Sequence, residues 1–357
     1  MKARPKVLPC TPPLLDWLRQ DPAWSGLPRA VRARYRWSSA WGGVNARLSV
    51  GVDRGDPPST LRDPVFVLGP WRTGSTVMHE LLVAATGLPA PRTWQCMNAG
   101  AFRLSAPPLR GGATARPMDG WLVDAHAPQE DEFALLTLGV PSAYRAFLMP
   151  HRFGELLPTL SQRTWMDDPS WLAPWERFLR SVLHVERAAG LPLVLKSPNH
   201  TFRLRALLRR FPGARLAWMT RDPVEAAHSN LDMWAAMARR HGLAPMDGAG
   251  LHAFLSHAFA AAAEALDEAC AALAPDRLSV VPHAALVRAP RELTRAVCAR
   301  LLPERTIDEA RLDERARQVD ERAPRRRDEA LPAELQRAAQ ALRRAQDDAA
   351  RTHGLRA

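Results

Sequence analysis

The sequence predicts an α/β protein: a P-loop-type, three-layer fold with a central parallel sheet and a long helical and loop excursion after the first strand–helix unit. Three observations predict it. Pro64–Leu82 reads as a strand, a glycine-bearing turn and a helix start. From Leu193 to Leu302 short apolar runs alternate with helical periodicity, and between these regions, over 88–191, no such rhythm appears. Strands separated by helices imply parallel pairing through right-handed crossovers, with ligands at the carboxyl ends of the strands.

Residues 1–60 are rich in Trp, Arg and Pro and read as a helical lead-in that covers one face, with Trp17, Trp24, Trp37 and Trp41 as packing anchors. The main domain is expected over 61–303. It opens with Val65-Phe66-Val67-Leu68, a short apolar run with β-branched members that suits a buried strand. Gly69-Pro70-Trp71-Arg72-Thr73-Gly74 makes a turn. Ser75-Thr76 then start a helix in which Val77, Met78, Leu81, Leu82 and Ala85 recur three or four apart, with Gly87 as its stop. Strand, glycine turn and helix start aim backbone N–H groups and the positive end of the helix dipole at an anion. Gly69 to Thr76 keeps the spacing G-x-x-x-x-G-K-[ST] but has Ser75 in place of the lysine, which argues against an ordinary ATPase or kinase. Arg72, inside the turn, can supply the missing charge.

The excursion over 88–191 is punctuated by prolines and tryptophans and carries the acidic run Glu130-Asp131-Glu132 before a helix at Phe133–Leu138. Helix capping, or ion pairs to Arg145 or Arg152, would account for acids at that place. Long excursions of this kind build substrate pockets, and Trp94, Trp121, Trp165, Trp171 and Trp175 are available to line one or to fill core. The regular rhythm resumes with a strand at Leu193–Leu195, a turn at Lys196-Ser197-Pro198 and a helix over Thr201–Arg210. A strand follows at Arg215–Thr220, and Asp222 with Pro223 opens the next helix as N-cap and first residue. Further elements are a helix over Leu251–Leu273, a strand at Leu278–Val281 and a helix over Pro290–Leu302. Residues 304–357 form a charged segment packing on the same domain, with a surface helix over Leu331–Ala350. Its basic run Arg325-Arg326-Arg327 is balanced by Asp328 and Glu329 and reads as a solvated face.

The 357 residues, 46% of them hydrophobic, suffice for a sizeable core. A formal net charge of +12 raises the possibility of nucleic-acid binding. The excess is arginine spread through an Ala- and Pro-rich chain, which fits compositional bias plus anionic small ligands better, so no nucleic-acid partner is expected. Four scattered cysteines, Cys10, Cys96, Cys270 and Cys298, form no CxxC pair and fit a reducing compartment without disulfides or zinc. No metal-ligand spacing occurs. No apolar run approaches membrane-spanning length and the first residues lack a leader-type apolar core, so the expected location is the cytoplasm.

Three strand ends thus present anion-binding chemistry: Arg72 to Thr76, Lys196 to His200, and Arg221 with Ser229. Arg221 lies at a strand end and Ser229 about two turns into the next helix, so both can reach one phosphate group. In the order and spacing of FVLGPWRTGSTVMHELL, QEDEFALLTLG and LVLKSPNHTFRLRALLRRFPGARLAWMTRDPVEAAHSNLDMW, the chain resembles the sulfotransferases that use 3′-phosphoadenosine-5′-phosphosulfate (PAPS), in particular a bacterial group distantly related to tyrosylprotein sulfotransferases. The resemblance runs from about Pro64 to Arg291, with Val281–Leu286 where relatives often carry a Tyr-Glu-Asp-Leu-like element.

The resemblance implies that Arg72, Thr73, Gly74, Ser75 and Thr76 cradle the 5′-phosphosulfate and that Arg221 and Ser229 hold the 3′-phosphate. It also implies that Lys196 reaches the transferring group, as Arg72 does from the loop. PAPS is then the co-substrate, no metal is expected, and the acceptor is a hydroxyl (an amine second) of a small molecule, lipid or glycan. A general base should deprotonate the acceptor hydroxyl, and relatives use a Glu or a His for it. Some relatives place a Glu where Gln95 stands, and Gln95 cannot act as a base. The candidates are Glu130, Asp131 and Glu132, with His126 nearby; Glu130 is the first choice and Glu132 the second, while His200, after Lys196-Ser197-Pro198, is placed to contact the acceptor or to bond backbone at a helix start. Two rivals follow from the same residues. One is a P-loop, NTP-dependent enzyme of kinase type; the other is a sulfotransferase-like binding protein without turnover.

Overall fold

Four short apolar runs become one parallel sheet: β1 (Val65–Leu68), β2 (Val194–Lys196), β3 (Arg215–Thr220) and β4 (Leu278–Pro282). Their order across the sheet is β2-β1-β3-β4. Val65 lies opposite Val194 on one side and Arg215 on the other, and Leu216 opposite Leu278. All residues of β1 and β2 are buried, which is why they read as unbroken apolar runs rather than as an alternation. This computed structural model describes residues 7–53, 60–105, 107–108, 112–116, 120, 122–319 and 330–355. Trp121 and the run Arg325–Arg327 lie outside the described residues.

Alternate strand residues serve opposite layers. Val65, Val67, Ala217, Met219 and Val281 face a core shared with α-helices that flank one side of the sheet. Phe66, Leu68, Leu216, Trp218 and Val280 face a larger core on the other. In chain order the principal helices are α1 (Pro12–Arg19), α2 (Arg29–Asp53), α3 (Ser75–Thr86), α4 (Glu132–Leu138), α5 (Leu172–Val185), α6 (Leu204–Arg210), α7 (Pro223–His241), α8 (Gly248–Ala272), α9 (Pro290–Leu301), α10 (Glu309–Ala316) and α11 (Ala333–His353). The smaller core holds α3, α9 and α10; the larger one holds α1, the excursion, α8 and α11. The result is the three-layer architecture with a long excursion between β1 and β2. Among the described residues no helix is long and apolar enough to cross a membrane.

Three local expectations change. The helix expected over 201–210 is split: Pro198–Arg203 is a tight 3-10 stretch before α6. Pro198 follows Ser197, whose hydroxyl accepts from the Asn199 N–H at 3.1 Å, and this fixes the narrower turn. The C-terminal helix is not simply a surface element. Leu335, Ala339, Leu342 and Ala349 are buried on one face, and α11 packs along α8. Finally, Trp24 is buried and Trp17 packs beneath Arg145 and Arg152, but Trp37 and Trp41 are 71% and 60% exposed and anchor nothing in the core.

One buried polar residue on α3 links this packing to pH. His79 is fully buried, with Nε2 at 3.1 Å from the Val194 carbonyl of β2. Burial, reinforced by the charge of Lys196, lowers its pKa from 6.5 to about 3. As pH falls below about 6.5 the unfolded chain takes up a proton that folded His79 refuses. Stability is therefore lost between about pH 6.5 and 3, by up to about 1.4 kcal/mol per pH unit from this group. Urea denaturation at pH 7, 5.5 and 4.5 should show a shallower pH slope for His79→Leu than for the parent chain. Identical slopes would place the acid sensitivity elsewhere.

Candidate active site

The turn after β1 is held in a conformation few residues tolerate. Gly69 has φ +121° and Gly74 φ +88°. A Cβ on Gly69 would stand 2.4 Å from the Met219 carbonyl oxygen of β3, and one on Gly74 2.5 Å from Cδ2 of His283. Arg72 adopts φ +72° without being glycine, a strain of roughly 1–3 kcal/mol. The surroundings hold it there. Thr73 Oγ1 donates to the Pro70 carbonyl at 2.8 Å, Asn230 Nδ2 to the Trp71 carbonyl at 2.9 Å, and Arg221 Nη1 to the Arg72 carbonyl at 3.0 Å. The Trp71 ring is wedged among Phe202, Trp234 and Phe254. Because the N-cap of α3 is Gly74, no side chain caps that helix start, and its first N–H groups suit an anion.

On the β3 side of the turn, Arg72 Nε donates to Ser229 Oγ at 3.0 Å. Arg221 follows β3 directly. Ser229 reaches the same place from α7, whose start is fixed by Asp222 accepting from the Val224 and Glu225 N–H groups at 2.9 and 3.0 Å. Arg72, Arg221 and Ser229 therefore come together, joining two groups that the sequence presents separately. His283, after β4, joins them. Burial, then the charges of Arg221 and Arg72, lower its pKa to about 4, so the ring is neutral at pH 7.

On the β2 side, Lys196 Nζ lies 3.1 Å from Thr76 Oγ1 and 2.5 Å from Glu130 Oε1. A second cation, besides Arg72, thus reaches the turn from the neighbouring strand. Burial lowers the Lys196 pKa, and the charge and hydrogen bond of Glu130 oppose that shift. Tyr144 donates its hydroxyl to Glu130 Oε2 at 2.5 Å; burial, then the Glu130 charge, pushes its pKa well up, so it stays a donor. Arg116 Nη1 is 3.3 Å from Thr76 Oγ1. Tyr144 was missed by sequence reasoning, although it is one of only two tyrosines and follows the acidic run closely.

The acidic run does not do what capping or Arg145 and Arg152 would have it do. Successive residues at a helix start point about 100° apart, and each acid here takes its own partner at the end of β2 or just after it. Glu130 meets Lys196. Asp131 pairs with His200 Nε2 at 2.8 Å and accepts from Trp175 Nε1 at 2.6 Å. Burial would raise the Asp131 carboxyl, but His200, Trp175 and Arg203 outweigh it and leave the pKa below its usual value. Glu132 is bound by both ends of the Arg203 guanidinium, with Nη2 to Oε1 at 3.0 Å, and neither side chain is exposed. The guanidinium also lies 4.0 Å over the Trp165 ring. Glu132 is therefore not brought to the Lys196 cluster. Arg145 instead donates to the Gly139 carbonyl, and Arg152 pairs with Asp21 and Glu155.

Gln95 is buried in a structural joint: Oε1 accepts from the Arg92 N–H at 2.9 Å and Nε2 donates to Glu186 at 2.8 Å. His126, with its ring 2.8 Å from the Pro108 carbonyl, is outside the Lys196 cluster. Trp165, Trp171 and Trp175 are buried, and Trp94 is half-buried against Phe102, so these rings fill core. Among the described residues no three His, Cys, Asp or Glu side chains are grouped to hold a metal ion.

Comparison with known proteins gives this geometry a family. Residues 64–305 match the model described as the Sulfotransferase family. The chain is 34% identical over 187 residues to the omega-hydroxy-beta-dihydromenaquinone-9 sulfotransferase Stf3 of Mycobacterium bovis, and equally to that of Mycobacterium tuberculosis. The alignment covers 50% of this chain and 47% of each relative, so the match spans about half the length of these curated proteins. The crystal structure of sulfotransferase STF9 from Mycobacterium avium superposes with a TM-score of 0.61 over 98% of both chains, at 19% identity, a likeness of fold. The matched residues include all four strands, the strained turn and both clusters beside it, and on that ground the chain belongs to the sulfotransferase family.

Proposed function

We infer that the chain moves a sulfuryl group from PAPS to a hydroxyl of its acceptor, releasing 3′-phosphoadenosine-5′-phosphate. The observation that carries this reading is Lys196, which touches Thr76 of the turn and Glu130 of the excursion at once. It joins a place suited to a donor anion to a place suited to a base. The residues fit such a donor. Arg72 to Thr76 at the uncapped start of α3 would take the 5′-phosphosulfate, and Arg221 and Ser229 the 3′-phosphate. A charge-assisted hydrogen bond to such a group contributes roughly 1.5–3 kcal/mol.

Sulfuryl transfer, like phosphoryl transfer, asks chiefly for alignment and for neutralisation of charge on the leaving oxygen. Lys196 and Arg72 supply that positive charge. Glu130, held by Lys196 through one oxygen and Tyr144 through the other, would take the proton of the acceptor hydroxyl. Glu132 is withdrawn from that role by Arg203. Among acceptor classes a lipid-like alcohol is favoured over a small polar molecule or glycan, because the relatives named above act on a menaquinone derivative.

Calorimetric titration with 3′-phosphoadenosine-5′-phosphate, and separately with ADP and with ATP plus Mg²⁺, tests the donor assignment. Tight binding of the bisphosphate without metal, with ADP much weaker, is the expected result; a preference for Mg²⁺-ATP would favour a kinase-type enzyme and overturn it. In the same assay Arg221→Ala should weaken the bisphosphate by roughly 10- to 100-fold and ADP far less. Equal losses would remove Arg221 from the 3′-phosphate site. The two acids should separate cleanly. Glu130→Gln is expected to lower kcat on any accepted hydroxyl substrate by about 10²–10⁴ while bisphosphate affinity is retained. Glu132→Ala, which leaves Arg203 buried without its partner, should instead cost about 3–5 kcal/mol of stability in urea unfolding. A fully active Glu130→Gln enzyme would disqualify Glu130 as the base.

A further inference from the structure

Helix α2 carries a feature that neither the sheet nor the site uses. Trp37, Trp41, Val44 and Leu48 are spaced four, three and four apart, so they form one stripe along the helix. They are 71%, 60%, 51% and 56% exposed. The two indole rings stack on each other with centroids 6.3 Å apart and planes 1° from parallel, and Ala30, Ala33 and Ala40, also exposed, extend the apolar surface. Isolated exposed apolar residues are ordinary; four large ones aligned on three turns are not.

The opposite face of the helix is fixed to the domain. Val31 and Tyr35 are buried, Ser38 Oγ accepts from the Cys10 N–H at 3.1 Å, and a Cβ on Gly42 would stand 2.8 Å from the Cys10 carbonyl oxygen. Ala46 and Gly100 line a small cavity where α2 leans on the excursion. The stripe is therefore presented outward by a helix that cannot turn it inward.

Charge selects what the stripe meets. From Arg29 to Val52 the helix contains no acidic residue and five arginines, Arg29, Arg32, Arg34, Arg36 and Arg47. At about 100° per residue, Arg29, Arg36 and Arg47 fall along one border of the stripe and Arg34 along the other. Tryptophans on an apolar stripe bordered by cations are what an interfacial helix uses to enter the headgroup region of an anionic bilayer. A second copy packed across the same stripe would set arginines against arginines, since the helix's single carboxylate, Asp53, is its last residue, five positions beyond Leu48.

We propose that α2 docks the protein on an anionic lipid surface, with Trp37, Trp41, Val44 and Leu48 inserted and the bordering arginines on lipid phosphates. This docking is independent of the donor reading, and vesicle binding without any nucleotide tests it separately. The full chain should co-sediment with phosphatidylcholine vesicles containing a quarter phosphatidylglycerol, bind pure phosphatidylcholine weakly, and lose affinity in high salt. Trp37→Glu/Trp41→Glu should reduce binding at least about tenfold with unchanged urea midpoint and unchanged bisphosphate affinity. Val44→Ser/Leu48→Ser should give a fall in the same direction if the tryptophan variant does not fold. The proposal is overturned if the parent chain ignores anionic vesicles or if both folded variants bind them as well as the parent does. It is equally overturned if the parent sediments as a dimer that the tryptophan variant dissolves, or if duplex DNA is bound in preference to vesicles.

Discussion

Glu130, Asp131 and Glu132 bring three adjacent carboxylates into the interior, Asp131 and Glu132 wholly and Glu130 nearly so, and a buried charge persists only where a partner meets it. Lys196, His200 and Arg203 are those partners, spaced four and three apart on the chain that leaves β2. The two triplets interlock residue by residue. Breaking any pair would strand a charge in low dielectric, so the excursion cannot shift along the sheet by one residue without losing all three pairs. The same interlock that fixes the excursion also sets one of its acids, Glu130, beside the turn after β1. Position and chemistry at the site therefore have a common cause.

The strained turn depends on that rigidity in another way. A left-handed arginine is kept only where several contacts agree on it, and here they come from three different parts of the chain: Trp71 in its aromatic nest, Asn230 of α7 and Arg221 after β3. Gly69 and Gly74 are small because β3 and His283 press against them, not only because the backbone bends there. The turn is shaped as much by the strands beside it as by its own residues.

Local signals told most about the sheet. Val65–Leu68 and Arg215–Thr220 stand out because each is apolar, short and bounded by glycine, proline or arginine, and the parallel order follows from the helices between them. The strand, glycine turn and helix start at Val65–Thr86 were readable for the same reason. What could not be read was partnership. Glu130 and Lys196 are 66 residues apart, Asp131 and His200 69, and Glu132 and Arg203 71, and nothing in the spacing says which acid takes which base. Consequently Glu132 stands directly after Glu130 as a candidate base in the sequence, although Arg203 takes it up. The tryptophans misled in the opposite sense: Trp165, Trp171 and Trp175 do fill core, but the same assumption fails for Trp37 and Trp41, whose helix faces outward at that stripe. Short 3-10 pieces such as Pro198–Arg203 leave no periodic trace.

Strand order has one more effect. Lys196 ends β2 and Arg221 follows β3, and these two strands are the immediate neighbours of β1 on opposite sides. Neighbouring strands lie about 4.8 Å apart, so the two backbones that carry these cations are separated by roughly 9–10 Å, with the turn between them. The sheet therefore acts as a ruler. Under the donor reading proposed above, a compact anion would meet one side of the turn or the other, whereas an anion that spans the turn would meet both, the span being set by the hydrogen-bonded backbone that carries the two side chains.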